Sequence, residues 1–438
     1  MAFAVAIVAI VACAVATVAS LGSVAAFGSV AATADSMSAA PRPGLAANAA
    51  PWSLSEVIER ASTTAPEVQL AGRVLQEAEA TRVGAGVFLP TNPRLFADYR
   101  RLASPPPIDP LNGYNLGVDG TFEVSGAGWA RLDEAERRVA LARSELATAQ
   151  SFARVRAWLG FIEVKVAAQR VASTEAALVI AARVEAATRE RQKNGVVGEP
   201  DVLAASLEHT TVRVQLEDAR RTLQAASAGL RQALDLDADA ALELAGELAP
   251  PPPAGEEDAL VQRALEKRPE LASVKARLSL LEATDSRLVR EAFPHVTFNL
   301  GFDAAPASPV FGYAGLGIQL PVAQRNQGPR AVNQAQLETE RVRLETELRR
   351  VRREVASTRR SYQVRLTQLQ LLSNDAVPAA ERSERLVEEG WTAGRFDLFR
   401  LTSATRDLNR VRRDRLETLL AAWTDFIELE RASGGLNP

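Results

Sequence analysis

The chain has 438 residues, 47% of them hydrophobic and 24% charged, which is enough to bury a large core or several small ones and excludes disorder throughout. Fifty-one cations, all arginine except Lys165, Lys193, Lys267 and Lys275, face 54 anions, and the net charge of -3 gives no bulk field that draws nucleic acid. One cysteine, Cys13, and two histidines, His209 and His295, exclude a disulfide framework and a Cys/His zinc site, and the chain carries no phosphate loop, HExxH helix or nucleophile elbow. The residues therefore call for no metal, no cofactor and no enzyme chemistry.

Residues 1–34 are uncharged, with an Ala/Val/Ile-rich run from Ala2 to Val18 and a small-x-small site, Ala32-Thr33-Ala34, before Asp35. This reads as an export signal peptide. No Lys or Arg precedes the apolar run, which leaves an uncleaved anchor and a misplaced start codon as alternatives. Ile10-Val11-Ala12-Cys13 also fits a loose lipoprotein cleavage pattern, which makes Cys13 a candidate for lipidation. Residues 35–51, rich in Ala, Pro and Ser, form a flexible lead-in.

The rest is one pattern written twice, in repeats 52–250 and 251–433 followed by a tail, 434–438. Pro66-Glu67-Val68 and Glu79-Ala80-Thr81 recur 203 residues on as Pro269-Glu270-Leu271 and Glu282-Ala283-Thr284; Leu116-Gly117-Val118 and Gly128 recur 200 residues on as Leu316-Gly317-Ile318 and Gly328. Each copy opens with a short helix and about two dozen helical residues, stopped by Pro90 in the first and Pro294 in the second.

A hairpin follows in each, at 94–123 and 295–322. In Val296 to Asp303 and Tyr313 to Val322, apolar residues alternate with polar or small ones, the period of a strand with one apolar face. In the first copy Leu116, Val118 and Phe122 share one face of the second strand and Asn115, Asp119 and Thr121 the other. Two long helical hairpins, 128–234 and 330–431, complete the copies, each with an outgoing rod of about 65 residues, roughly 100 Å at 1.5 Å per residue.

The first rod repeats every seven residues through Leu132, Val139, Leu146 and Ala153, with Ala135, Ala142 and Ala149 at the partner position; the second continues through Leu337, Leu344, Leu348, Val351, Val355, Thr358, Tyr362 and Leu369. A further small-residue stripe, Ala140 and Ala147, predicts a neighbour on a second side, hence a sheet of helices. The rods turn back at Gly-containing breaks, 194–201 and 390–397, and Pro378 predicts a kink or local break in the second rod.

Two hairpins cannot stand alone in a bilayer, because their edge N–H and C=O groups would face hydrocarbon. Four strands are also too few for a barrel, so identical chains must pool them, and three chains give twelve.

This layout closely resembles the TolC-like outer membrane efflux family. The resemblance is carried by Ala264-Leu265-Glu266-Lys267-Arg268-Pro269-Glu270-Leu271, by Gly317-Ile318-Gln319-Leu320-Pro321-Val322 before the second rod, and by the order and duplication of the elements over residues 52–433. It implies a mainly α fold with a small β part: helical hairpins forming a periplasmic tunnel, and four transmembrane strands per chain completing a twelve-stranded barrel in a homotrimer. The partners it implies are outer-membrane lipid, a periplasmic adaptor and an inner-membrane transporter of the resistance-nodulation-division (RND) type. An equatorial region built from residues such as 235–268 and the C-terminal segment is also implied.

By position in that family, Asp201, Arg395, Asp397 and Arg400 are candidates for a periplasmic gate, and the two aspartates also read as helix caps. Gly195, Gly198, Gly390 and Gly394 are the candidates for tip turns and adaptor docking, Gly195 and Gly394 as turns of positive φ. The run Arg349-Arg350-Val351-Arg352-Arg353, interleaved with Glu345, Glu347 and Glu354, reads as a salt-bridged helix face rather than a nucleic-acid site. Phe88, Phe293, Tyr99, Tyr114 and Tyr313 near strand ends read as an aromatic belt or as packing residues. The function expected is passive export through an outer-membrane conduit serving an efflux pump for metals or drugs. The alternatives are a type I secretion channel and a periplasmic coiled-coil structural or adaptor protein anchored in the inner membrane.

Overall fold

In a computed structural model, the chain is described over residues 51–435, apart from 88, 90, 103–110 and 305–309. The signal segment, Cys13, all of the lead-in but residue 51, Phe88, Pro90, most of the two hairpin loops and the last three residues lie outside the described residues.

Helix α1 (Leu54–Thr64) begins at a reciprocal cap: the Ser53 hydroxyl accepts from the Glu56 amide, and the Ser53 amide donates to the Glu56 carboxylate at 2.8 Å. Helix α2 (Pro66–Ala85) opens on a proline, whose missing amide hydrogen needs no partner in a first turn. Strands β1 (Arg94–Leu102) and β2 (Leu111–Glu123) lead to helix α3 (Ala127–Lys193), which at 67 residues is about 100 Å long, and α4 (Glu199–Ala233) returns from it. The second copy repeats the order: α5 (Glu257–Lys267), α6 (Pro269–Glu291), β3 (His295–Ala304), β4 (Phe311–Gln319), α7 (Gln327–Leu371), α8 (Val377–Thr392) and α9 (Leu398–Ala432). Both long helices leave the sheet from a left-handed residue, Gly126 with φ +72° and Asn326 with φ +56°. Asn326 tolerates that conformation, and its side-chain amide donates to the Leu288 carbonyl at 3.0 Å.

The strands form one antiparallel sheet in the order β1-β2-β3-β4, with Arg94 opposite Asp119, Asp119 opposite Asn299, and His295 opposite Gln319. Below it the helices take the matching order α2-α3-α6-α7. Among the described residues β1 and β4 are free edges of the sheet, and α2 and α7 are the outer helices of the layer. Strand β4 stops at Gln319, short of the expected Val322, because Pro321 has no amide to donate to a ladder.

The structure adds detail to three sequence expectations, of which the break at Pro378 holds. The second rod is interrupted just ahead of Pro378, where a π-turn, Leu372–Ala376, widens the helix before α8 and gives room to a ring that would clash with the carbonyl four residues back. The second contact face of α3 is not the Ala140 stripe, since Ala140 is exposed; α6 docks instead through Glu134, Arg137, Glu145 and Thr148. Of the two readings for the aromatics near the strand ends, Tyr313 takes the packing one: its hydroxyl donates to Asn115 Oδ1 at 2.9 Å on the polar face of the sheet, whereas Tyr99 and Tyr114 share the apolar face.

The largest apolar cluster lies where α1, α3, α4 and α9 meet, around Val57, Ala61, Phe161, Ile162, Leu230, Leu234 and Ile427. A second joins α5, α6, α7 and α9 through Leu260, Leu271, Val351, Val355, Tyr362 and Leu429. Trp158, Trp423, Phe426 and Tyr362 form a chain of ring contacts with centroids 5.6 to 6.2 Å apart. Segment 234–255 lies over this region: Lys165 donates to the carbonyls of Leu244 and Gly246, and Trp52 bridges Leu244. Among the described residues, no helix is long and apolar enough to cross a membrane.

Candidate functional site

The sheet has two chemically distinct faces, fixed by the period-two alternation and by the register. Leu95, Tyr99, Leu116, Val118, Phe122, Val296, Leu300, Phe302, Leu316 and Ile318 share one face, and Leu316 is 82% exposed. Arg94, Asp98, Arg100, Asn115, Asp119, Thr121, Thr297, Asn299 and Asp303 share the other. Among the described residues nothing covers the apolar face, which suits it to an apolar medium. On the polar face Arg94 pairs with Asp119 at 3.0 Å and Arg100 with Asp303 at 2.5 Å. Glycines on that face make room for rings: Phe96 and Tyr313 lie across Gly117, and Tyr313 lies across Gly301, where a Cβ would come within 2.6 Å of ring atoms.

The sheet is joined firmly to the helices. Glu123, at the end of β2, accepts two hydrogen bonds from Arg131 in the first turns of α3, both at 2.7 Å. His295 opens β3 opposite Glu123 and Gln319.

At the far end, the turns between α3 and α4 and between α8 and α9 have the same build. Gly195 and Gly394 both adopt φ +71°, which only glycine takes without strain. Gly198 is the extended residue before α4, and its amide donates to Asp201 Oδ2 at 3.2 Å; Asp397 caps α9 by accepting from the Arg400 amide at 2.9 Å. Gly390 lies inside α8, pressed by the Phe396 ring, and Arg400 stacks on that ring with its guanidinium carbon 4.6 Å from the centroid. Arg395 and Asp397 are exposed and Asp201 is half-buried. Within one chain neither aspartate is ion-paired with Arg395 or Arg400, so the four gate candidates are not brought together.

Two links that sequence reasoning missed tie the hairpins together near this end. Arg191 donates to the Trp391 carbonyl at 2.8 Å and lies 4.1 Å from the centre of its ring. Glu208, nearly buried, accepts from Arg406 at 2.7 Å. Beside them the buried Glu185 carboxylate takes Arg189 at 2.5 Å and His209 Nδ1 at 2.7 Å, which gives His209 a structural partner.

The buried ionic centre of the molecule lies at mid-height. Arg268, fully buried in the Lys267-Arg268-Pro269-Glu270 motif, pairs with Glu354 at 2.9 Å and Glu270 at 3.4 Å. Arg431 pairs with the same Glu354, with Glu270 and with Glu428. Burial pushes the Glu354 carboxyl up, but the hydrogen bonds and charges of the two arginines outweigh it and hold it below the usual glutamate range. The Glu428 hydrogen bond, opposed by desolvation, holds the Arg431 guanidinium above its ordinary value. The run Arg349 to Arg353 lies on the outer face of α7, with Arg350 on Glu347 at 2.9 Å and Val351 turned into the core. Among the described residues, no cluster of His, Cys, Asp and Glu could hold a metal ion.

A two-faced sheet with free edges, carried on a layer of helices in the same order, defines the architecture of the described residues. No family model matches the chain. It is 27% identical over 296 residues to the cobalt-zinc-cadmium resistance protein CzcC of Cupriavidus metallidurans, covering 66% of this chain and 70% of that protein. Among solved structures, the outer-membrane channel OprN matches with a TM-score of 0.74 at 18% identity, over 87% of this chain and 90% of that one. CusC matches at 0.72 and 16% identity over 89% and 95%, and the Neisseria gonorrhoeae MtrE outer membrane channel at 0.71 and 15% over 87% and 88%. The fold of this chain is that of the TolC-like outer membrane efflux channels, as the resemblance in its sequence implies.

Proposed function

We propose that the chain is the outer-membrane channel of an efflux system, a passive conduit from periplasm to exterior, with divalent transition-metal cations as its cargo. The observation that carries the channel is the sheet: an uncovered apolar face backed by a polar face, with both edges unpaired, is a barrel segment that closes only with further copies. Three chains give twelve strands with the polar face inward, and the helical layer extends that lumen through the periplasm. The cargo rests on the similarity to CzcC, whose name states cobalt, zinc and cadmium resistance.

In this reading the homotrimer docks a periplasmic adaptor at the Gly195, Gly198, Gly390 and Gly394 turns, and an RND-type inner-membrane transporter supplies the energy. Asp201, Arg395, Asp397 and Arg400, exposed or half-buried at the tips, gate the tunnel through contacts between chains or with a partner. Deletion and complementation test the cargo. Loss of zinc, cobalt and cadmium tolerance with unchanged drug susceptibility supports it, and the reverse pattern overturns it.

A further inference from the structure

Two short segments at the foot of the second hairpin have no role in the channel as described so far. Phe293-Pro294 joins α6 to β3, and Leu320-Pro321-Val322 joins β4 to α7. Each proline lies just past the end of an element, where its nitrogen has no hydrogen to give a helix or a ladder. Such joints run over a protein's surface, and polar residues suit them. Here they carry large apolar side chains instead: Phe293 is 54% exposed, Leu320 69% and Val322 78%.

These residues line a groove of about 540 Å³, and the only charged groups among its lining residues are Arg325 and Arg330. The Val322 amide donates to the Leu320 carbonyl at 2.9 Å, a tight bend that turns the chain around the groove. Arg325 Nε donates to the Pro321 carbonyl at 3.0 Å, which fixes that side chain at the rim, and among the described residues no carboxylate pairs with it. Arg330 lies 3.7 Å from Asp285, beyond hydrogen-bond range, and its Nε is buried with no hydrogen-bond partner. Two arginines at an apolar groove, neither held by a hydrogen-bonded carboxylate, suit an anion that carries apolar chains.

The height of the groove narrows the choice of anion. Strands β3 and β4 have 10 and 9 residues, the length that crosses a hydrocarbon layer once when tilted. His295 and Gln319, paired with each other, therefore stand at one border of that layer, and the groove begins one residue beyond them. Leu320 continues the alternation of Leu316 and Ile318, which puts it on the apolar side. Trp129, in the first turn of α3 and so at the same level, is 76% exposed. Exposed Trp and Phe rings beside arginines are the composition of a membrane–water border.

Resting on the channel reading above, we infer that this groove binds one glycerophospholipid of the leaflet nearer the helices. The phosphate lies between Arg325 and Arg330, and an acyl chain follows Phe293, Leu320 and Val322 into the lipid that borders Leu316 and Ile318. The first hairpin has no counterpart. The 200-residue offset sets Gly120, Thr121 and Phe122 against Leu320, Pro321 and Val322, and sets Ser125 and Ala130 against the two arginines. Strand β2 runs on through those positions to Glu123, so each chain has one such site.

Native mass spectrometry of the full-length protein, purified as oligomers in detergent and stripped of lipid, tests this with dioleoyl phosphatidylglycerol as the probe. One lipid is expected per chain. Arg325→Gln with Arg330→Gln is expected to weaken binding about tenfold or more, because the charge-assisted hydrogen bonds to the phosphate are lost. Val322→Glu keeps both arginines, sets a carboxylate beside the phosphate and is expected to weaken binding likewise, which keeps the test open if the double variant does not fold. Arg352→Gln with Arg360→Gln removes the same charge from exposed positions of α7 outside the groove, and binding is expected to match the parent. Dioleoylglycerol, with the same chains and no phosphate, is expected not to bind, and millimolar inorganic phosphate is expected not to displace the lipid. Equal affinity in the parent and both groove variants, or equal binding of dioleoylglycerol, overturns the site. Displacement by inorganic phosphate also overturns it, leaving a site for free anions. Groove variants that run as monomers where the parent is oligomeric show a second copy over the groove and overturn it as well. All of these leave the channel reading standing, whereas a parent chain that neither oligomerises nor conducts in bilayers overturns both.

Discussion

Replacing Arg268 with alanine removes a fully buried guanidinium whose partner, Glu354, is then held by Arg431 alone. A hydrogen bond to a charged group contributes about 1.5 to 3 kcal/mol, and breaking a buried ion pair costs about 3 to 5 kcal/mol. Arg431 keeps Glu354 partly paired and Glu354 retains some solvent, so the lower part of that range applies, about 3 kcal/mol. At roughly 2 to 4 °C per kcal/mol for domains of a few hundred residues, the melting temperature in detergent, followed by far-ultraviolet circular dichroism, falls by about 6 °C or more. In a double-mutant cycle with Glu354→Gln, the two losses overlap by about 1 to 2 kcal/mol, because both remove one contact. The pH dependence has a definite sign: since the folded carboxyl lies below its ordinary 4.5, the Glu354 contribution is present above that value and lost as pH falls through the lower one. The gap between parent and Glu354→Gln therefore closes under acid conditions. A melting shift under about 1 °C for Arg268→Ala, or strictly additive losses, would refute the network as a stabilising centre.

Leu316→Arg on the apolar face costs about 2 to 4 kcal/mol per chain near the bilayer centre, so heat-modifiable trimers disappear from the outer membrane, while Asn299→Arg on the polar face leaves them in place. Asp201→Ala combined with Arg400→Ala raises the conductance of the purified trimer in planar bilayers if these residues restrain the tip; unchanged conductance leaves them as caps only. Burial pushes the Tyr362 hydroxyl up to about 12, so an ultraviolet titration shows one tyrosine ionising near that pH, and Tyr362→Phe abolishes that step. A titration complete by about pH 10.5 would contradict its burial against the Pro252 carbonyl.

Much of this fold could be read directly from residue periodicity. Val296 to Asp303 alternates with period two, and Leu132 to Ala153 repeats every seven, and these patterns answer to local geometry that any sequence displays. The duplication extended the reading from elements to architecture. Long-range pairing stayed hidden. Nothing local to Arg268 distinguishes it from the exposed arginines of Arg349 to Arg353; its burial depends on Glu354, 86 residues away, and on Arg431 beyond that. Tyr313 reads equally as an interfacial aromatic or a packing residue until the register sets it across Gly301 and Gly117, which have no side chains to keep it out. A second neighbour for the first rod was expected, but the residues that meet it in the α3·α6 contact escaped a search for apolar stripes because they make ion pairs and hydroxyl hydrogen bonds. At the tips, Gly195 and Gly394 could be picked out by residue type, whereas the Arg191 contact with Trp391 links helices 200 residues apart.

The central claim is that one face of this sheet borders water and the other lipid across the outer membrane. A cysteine scan with a charged, membrane-impermeant thiol reagent added to intact cells tests it most directly. Cysteines at Asn115, Thr297 and Asn299 are expected to react and those at Leu116, Leu300 and Leu316 to stay unmodified; equal labelling of both sets, or labelling of the second set alone, would contradict the account.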